Sequence, residues 1–139
     1  MRLWHIDLIP YLPKQQLLSQ WRELNSIYAN ENKHILINFV YKYKPIHLLA
    51  YSQVVLREMK KRGYKLSFKK YNNYFESKGL DDELILFEDD GYIDLQPFEW
   101  DMNNEYLKIC CWNLYEKYIR GQEGFTDEAI DFIERRIND

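Results

Sequence analysis

The sequence predicts an all-α, mainly helical protein: one compact domain over residues 1–139, with three to four helices and an extended N-terminal arm. Three observations predict it. Apolar residues recur at helical spacing after Lys14, helix start and stop signals bracket the stretch from Pro45 to Gly63, and a further periodic run lies between Asn103 and Arg120. At 139 residues the chain is one ordinary domain, long enough to bury roughly 68–70% of its unfolded surface.

Residues 1–13 (MRLWHIDLIPYLP) are apolar and broken by Pro10 and Pro13, so an extended arm is expected there rather than a helix. From Lys14, the residues Leu17, Leu18, Trp21, Leu24, Ile27 and Tyr28 form an apolar stripe. Gln16, Ser19, Glu23, Ser26 and Asn30 share the opposite, polar face, with Glu23 about 200° around the axis from Trp21. A second helix is expected to start at Pro45, where proline suits the first turn. It runs through Leu48, Ser52, Val55 and Met59 to Lys60, Lys61 and Arg62, and Gly63 stops it. Over residues 65–101, Tyr71, Tyr74, Phe75, the acidic DDELILFEDDG stretch and Trp100 suggest turns and one short strand at Leu84–Phe87. A third helix covers about Asn103–Arg120, with Leu107, Cys110, Cys111, Leu114 and Tyr118 facing inward and Gly121 and Gly124 breaking it. Thr126 caps a short last helix, acidic at its start (Asp127, Glu128) and basic near its end (Arg135, Arg136).

Composition sets limits on function. The chain is 46% apolar and 29% charged, which is a folded protein and not a disordered one. Mean hydropathy is −0.59 and no apolar run approaches the ~18 residues of a membrane span, so no membrane association is expected. Asp7 and the two prolines interrupt any signal-peptide pattern, and a cytoplasmic location is expected. The net charge of −3 argues mildly against a dedicated nucleic-acid binder, although the distribution of charge decides this. Aromatics are abundant at 17%, with 12 Tyr and 4 Trp; they fill cores, and they also stack on bases.

Cys110 and Cys111 are neighbours that read as reduced, small apolar residues in a helix. His5, His34 and His47 show no zinc spacing, so neither a metal nor a cofactor is expected. Read from the residues alone, Arg22-Glu23 is an ordinary solvated pair whose members cannot pair with each other. Lys33-His34 is a surface loop, and Glu58–Lys65 (EMKKRGYK) a basic helix end. No Ser/His/Asp arrangement and no phosphate-cradling glycine loop is present.

Taken in order, however, Gln15, Leu17, Arg22-Glu23-Leu24, Lys33-His34 and Lys61-Arg62-Gly63-Tyr64 resemble the pyrimidine-dimer DNA glycosylases of the phage endonuclease V type. The resemblance covers residues 1–66 and, more loosely, the helix Tyr106–Arg120; the N-terminal segment resembles a bacterial branch of that superfamily. It implies a compact helical domain whose N-terminal arm threads between helices. It implies a DNA repair glycosylase and AP lyase whose N-terminal α-amine, here that of Met1, attacks C1′ of the damaged nucleotide and forms a Schiff base. Glu23 matches the carboxylate that assists it. Arg22 and Lys33 match phosphate-holding positions, Arg2 is expected to act beside the amine, and Gln15 and His34 complete the expected DNA-binding set. The implied partner is damaged or abasic double-stranded DNA, bound by a monomer.

The chain departs from the phage pattern in four respects. Arg2 follows Met1 and should block removal of the methionine, so the reactive nitrogen would be that of Met1. Ser26 stands where the phage enzymes carry a further arginine. The aromatic-basic tail is replaced by EAIDFIERRIND, and the chain as a whole is not basic. Attack on abasic sites, which needs no recognition of a damaged base, is the part of the activity these departures touch least. Two other readings stand beside it: a non-catalytic nucleic-acid- or protein-binding module that keeps the fold, and an enzyme using the same amine on another substrate. Tyr64, Tyr71, Tyr74 and Tyr92 could line such a pocket, but core packing is the simpler expectation for them.

Overall fold

Five α-helices and two 3-10 segments dominate the computed structural model, which describes residues 2–31, 34–80, 87–88, 91–92 and 95–139. Helix α1 (Lys14–Asn30) buries Leu17, Trp21, Leu24, Ile27 and Tyr28, as the stripe requires. It ends at Glu31, which takes a left-handed conformation (φ 39°) and donates its amide to the Ile27 carbonyl at 2.7 Å. Helix α2 (Pro45–Lys61) begins at the proline and closes in a Schellman motif. The Gly63 amide reaches the Lys60 carbonyl and the Tyr64 amide the Met59 carbonyl, both at 3.0 Å. Gly63 holds φ +80°, which is why glycine stands there.

The stretch expected to be turns contains a helix, α3 (Lys69–Ser77). Tyr71, Tyr74 and Phe75 lie at i, i+3 and i+4, and all three are buried around Tyr28, with ring centroids 5.9, 5.5 and 5.4 Å away. Their packing overrides the poor helix propensity of Asn72-Asn73. Tyr71 and Tyr74 therefore serve the core, and Tyr64 packs at its edge. Two-residue strands, β1 (Phe87–Glu88) and β2 (Gly91–Tyr92), pair antiparallel with Phe87 opposite Tyr92. Of the strand expected at Leu84–Phe87, residues 84–86 lie outside the described residues.

Helix α4 (Asn104–Ile119) is capped by Asn103, whose side chain accepts the Tyr106 amide at 2.9 Å. Leu107, Cys110, Cys111 and Leu114 are buried and both thiols are free, but Tyr118 is turned out to solvent. Helix α5 (Asp127–Ile137) starts from Thr126, whose hydroxyl accepts the Ala129 amide at 3.0 Å, and packs Ala129 and Ile133 against α4. Among the described residues no helix is long and apolar enough to cross a membrane.

The arm is not extended throughout, since Ile6–Tyr11 forms a 3-10 turn. His5 nucleates it by accepting the Asp7 amide on Nδ1 at 3.1 Å, while Pro10 removes only one donor from a segment with few internal bonds. Leu3, Leu8, Ile9 and Leu12 are fully enclosed, so the arm is part of the core. Its backbone is satisfied by side chains of the helices it crosses. The Gln20 amide accepts from Trp4 N at 2.7 Å and donates to the Arg2 carbonyl at 3.3 Å. Tyr51 donates to the Trp4 carbonyl at 2.6 Å, and Tyr106 to the Leu3 carbonyl. Arg62, placed by the end of α2, donates to the carbonyls of Leu12 (2.8 Å) and Pro10 (3.2 Å) and pairs with Glu58 at 2.7 Å.

Candidate active site

Along α1, residues 15, 16, 19, 20 and 23 fall on one face, and this face forms a wall of a cleft of about 350 Å³. Arg2 and Trp4 of the arm, Leu36 of the turn after α1, and Asn113 and Lys117 of α4 complete it. Asn113 and Lys117 reach it together because they are four residues apart on one helix. The polar side of α1 is therefore only partly a solvated face. Ser26 and Asn30 are exposed, while Gln16, Gln20 and Glu23 are buried under the arm and cleft walls.

Glu23 is the exceptional residue. It is 3% exposed, and its Oε2 is buried without a hydrogen-bond partner among the described residues. An enclosed carboxylate oxygen left unpaired costs several kcal/mol in general, and it is a place for a cation or a donor to dock. The Arg22-Glu23 pair is thus not an ordinary solvated pair. The helix turns the neighbours about 100° apart, so Arg22 stays in solvent with its Nη2 on the Ser19 hydroxyl at 3.0 Å, while Glu23 points inward.

Arg2 is half-buried at the cleft wall. Burial pushes both the Tyr106 phenol and the Cys110 thiol upward, and the Arg2 guanidinium beside them pulls against it. Tyr106 thus remains a neutral donor holding the arm. Burial also raises the Tyr41 hydroxyl, with the charges of Glu31 and Glu23 adding to it, which sets a neutral phenol near the candidate carboxylate. Gln15 is exposed at the lip of the cleft, and His34 is exposed beside it, its Nδ1 accepting the Leu36 amide at 3.3 Å. Glu23, Arg2 and Gln15 are thus brought together. Arg22 and His34 lie near but do not line the cleft, and Met1 and Lys33 lie outside the described residues. Among the described residues no three of His, Cys, Asp and Glu are grouped to hold a metal ion.

Sequence reasoning missed Gln20, Asn113 and Lys117, for which helical spacing within α1 and α4 was the available signal. It also missed a segregation of charge. Residues 1–80 carry 14 Lys and Arg against 5 Asp and Glu, whereas residues 81–139 carry 5 against 17. A net charge of −3 conceals a strongly basic first part, the usual footprint of polyanion binding.

The model of the pyrimidine dimer DNA glycosylase family matches residues 1–72, the arm through the start of α3. The chain belongs to this family. No curated protein and no solved structure matches it significantly. The pyrimidine dimer DNA glycosylase match takes in Arg2, Gln15, Glu23 and Leu36 of the cleft; Asn113 and Lys117 come from outside it.

Proposed function

We propose that the protein is a DNA glycosylase and AP lyase that works on damaged or abasic DNA through the α-amine of Met1, with Glu23 as its carboxylate partner. The observation that carries this reading is the enclosed Oε2 of Glu23, which has no hydrogen-bond partner among the described residues, in a cleft walled by the arm. A carboxylate oxygen enclosed at a cleft is matched to a positive charge that develops during reaction. An iminium on the sugar is such a charge.

The chemistry follows from the amine. At the usual pKa of about 7.7–8.0, roughly a tenth of an α-amine or somewhat more is neutral at pH 7. Its lone pair forms the N–C1′ bond as the C1′–base bond breaks; the electron pair leaves with the base, which takes up a proton. Loss of the amine proton and opening of the sugar give the imine. At an abasic aldehyde the same addition expels water instead. Removal of a C2′ proton then breaks the C3′–O bond, and the 3′ phosphate departs. Glu23 stabilises the cationic sugar and relays protons. Arg2 and Lys117 at the cleft, together with Arg22 and Lys33, hold phosphates and so position DNA without reading its sequence. The nucleotide must leave the stack for C1′ to be reached.

Borohydride trapping on a duplex with one abasic site tests this directly. The expected result is a covalent adduct mapped by mass spectrometry to the Met1 nitrogen, with strand cleavage lowered about a hundredfold or more in Glu23→Gln. Absence of an adduct from folded protein with a free Met1 amine would overturn the proposal in favour of a non-catalytic module.

A further inference from the structure

We propose that Ile35 is an apolar wedge that enters the duplex beside the cleft and opens the base stack, so that one nucleotide can swing in towards Glu23; this rests on the DNA-acting reading above. Ile35 is 84% exposed, the highest value among the exposed large apolar side chains described. It does not sit on a loose loop. The His34 carbonyl accepts from both Ile37 N (2.9 Å) and Asn38 N (2.8 Å), and Ile37, two residues on, is fully buried. The tip is therefore a short, pinned turn with an aliphatic side chain held out into water.

Its neighbours say what it meets. Leu36, the next residue, lines the cleft that also holds Arg2, Lys117 and Glu23. An apolar point next to cations suits a polyanion whose interior is apolar, which describes stacked DNA and not an acidic peptide. Aliphatic side chains inserted at a base step unstack and kink it, and an isoleucine fills the gap a displaced nucleotide leaves. The wedge, Ile35, is adjacent in one turn to Leu36 of the receiving cleft, so inserting one sets the distance to the other.

The test uses an oligonucleotide with 2-aminopurine next to an abasic site, as a duplex and as a single strand, with wild type, Ile35→Ser and Ile35→Leu. Wild type should raise the fluorescence of the duplex and cleave both forms. Ile35→Ser should lose the rise and about tenfold or more of duplex cleavage, while cleaving the single strand normally because no stack has to be opened. Ile35→Leu should restore both. Duplex cleavage and fluorescence in Ile35→Ser equal to wild type would overturn the wedge, as would equal losses on duplex and single strand. Wild type that traps and cleaves without a fluorescence rise would overturn the wedge alone. Wild type that neither traps nor unstacks either substrate would overturn the lyase reading together with it.

Discussion

At the scale of the residue, Glu23 and two histidines carry predictions of opposite kind. The buried Oε2 of Glu23, with no hydrogen-bond partner among the described residues, is a cost in stability. Glu23→Gln keeps the shape and removes the charge, so its melting temperature should rise by several degrees, about 2–8 °C for each kcal/mol recovered. A fall on thermal unfolding would show instead that the carboxylate holds structure. His5 and His47 act through pH. Burial holds both below the usual 6.5, in His5 against Asp7 and the Met102 carbonyl, in His47 against Glu99. Each Nδ1 accepts a backbone amide, from Asp7 at 3.1 Å and Phe98 at 3.0 Å, and protonation would turn that acceptor into a donor facing a donor. The unfolded chain takes up these protons first as pH falls. Stability should therefore be full above about pH 6.5 and decline below it, by up to about 1.4 kcal/mol per pH unit for His5 and less for the partly solvated His47. Urea midpoints at pH 7.5 and 5.5 measure it, and equal midpoints would refute it.

At the scale of the element, the arm depends on side chains rather than on secondary structure. Gln20 meets both the amide of Trp4 and the carbonyl of Arg2, as a neighbouring strand would. Gln20→Leu should cost about 1–3 kcal/mol and speed hydrogen exchange at the Trp4 amide. Unchanged exchange there would mean that Tyr51 and Tyr106 suffice. These contacts explain what was legible in the sequence. Helices α1, α2, α4 and α5 could be read because local signals set them: the Leu17–Tyr28 stripe, Pro45 and Gly63, Thr126. The 3-10 turn and α3 could not, because one needs His5 folded back as a cap and the other needs Tyr28 as a packing partner. Likewise the register of Glu23 on a polar face is written in the periodicity. That the arm and α4 wall in that face is a tertiary fact, which no local pattern carries.

At the scale of the molecule, the segregated charge sets how a polyanion is met. With 14 cations against 5 anions over residues 1–80, DNA binding should weaken steeply with salt despite the acidic total. Lys117→Gln should weaken it for every sequence and reduce the slope of log K against log salt by about one, as titrations between 50 and 200 mM salt would show. An unchanged slope would remove Lys117 from the contact surface. The walls of the cleft are also tied to each other. Gln16 of α1 and Gln122 beyond α4 exchange reciprocal amide bonds at 3.1 and 2.5 Å, and Tyr106 of α4 holds the arm at Leu3. None of these bonds carries a charge, so neither salt nor mild acid loosens them. With the walls joined in this way, a share of the deformation needed to open a site falls on the nucleic acid. Turnover would then follow the pliability of the helix around the lesion, fast at a yielding pyrimidine–purine step and slow within a stiff A-tract, with the protein acting as the anvil.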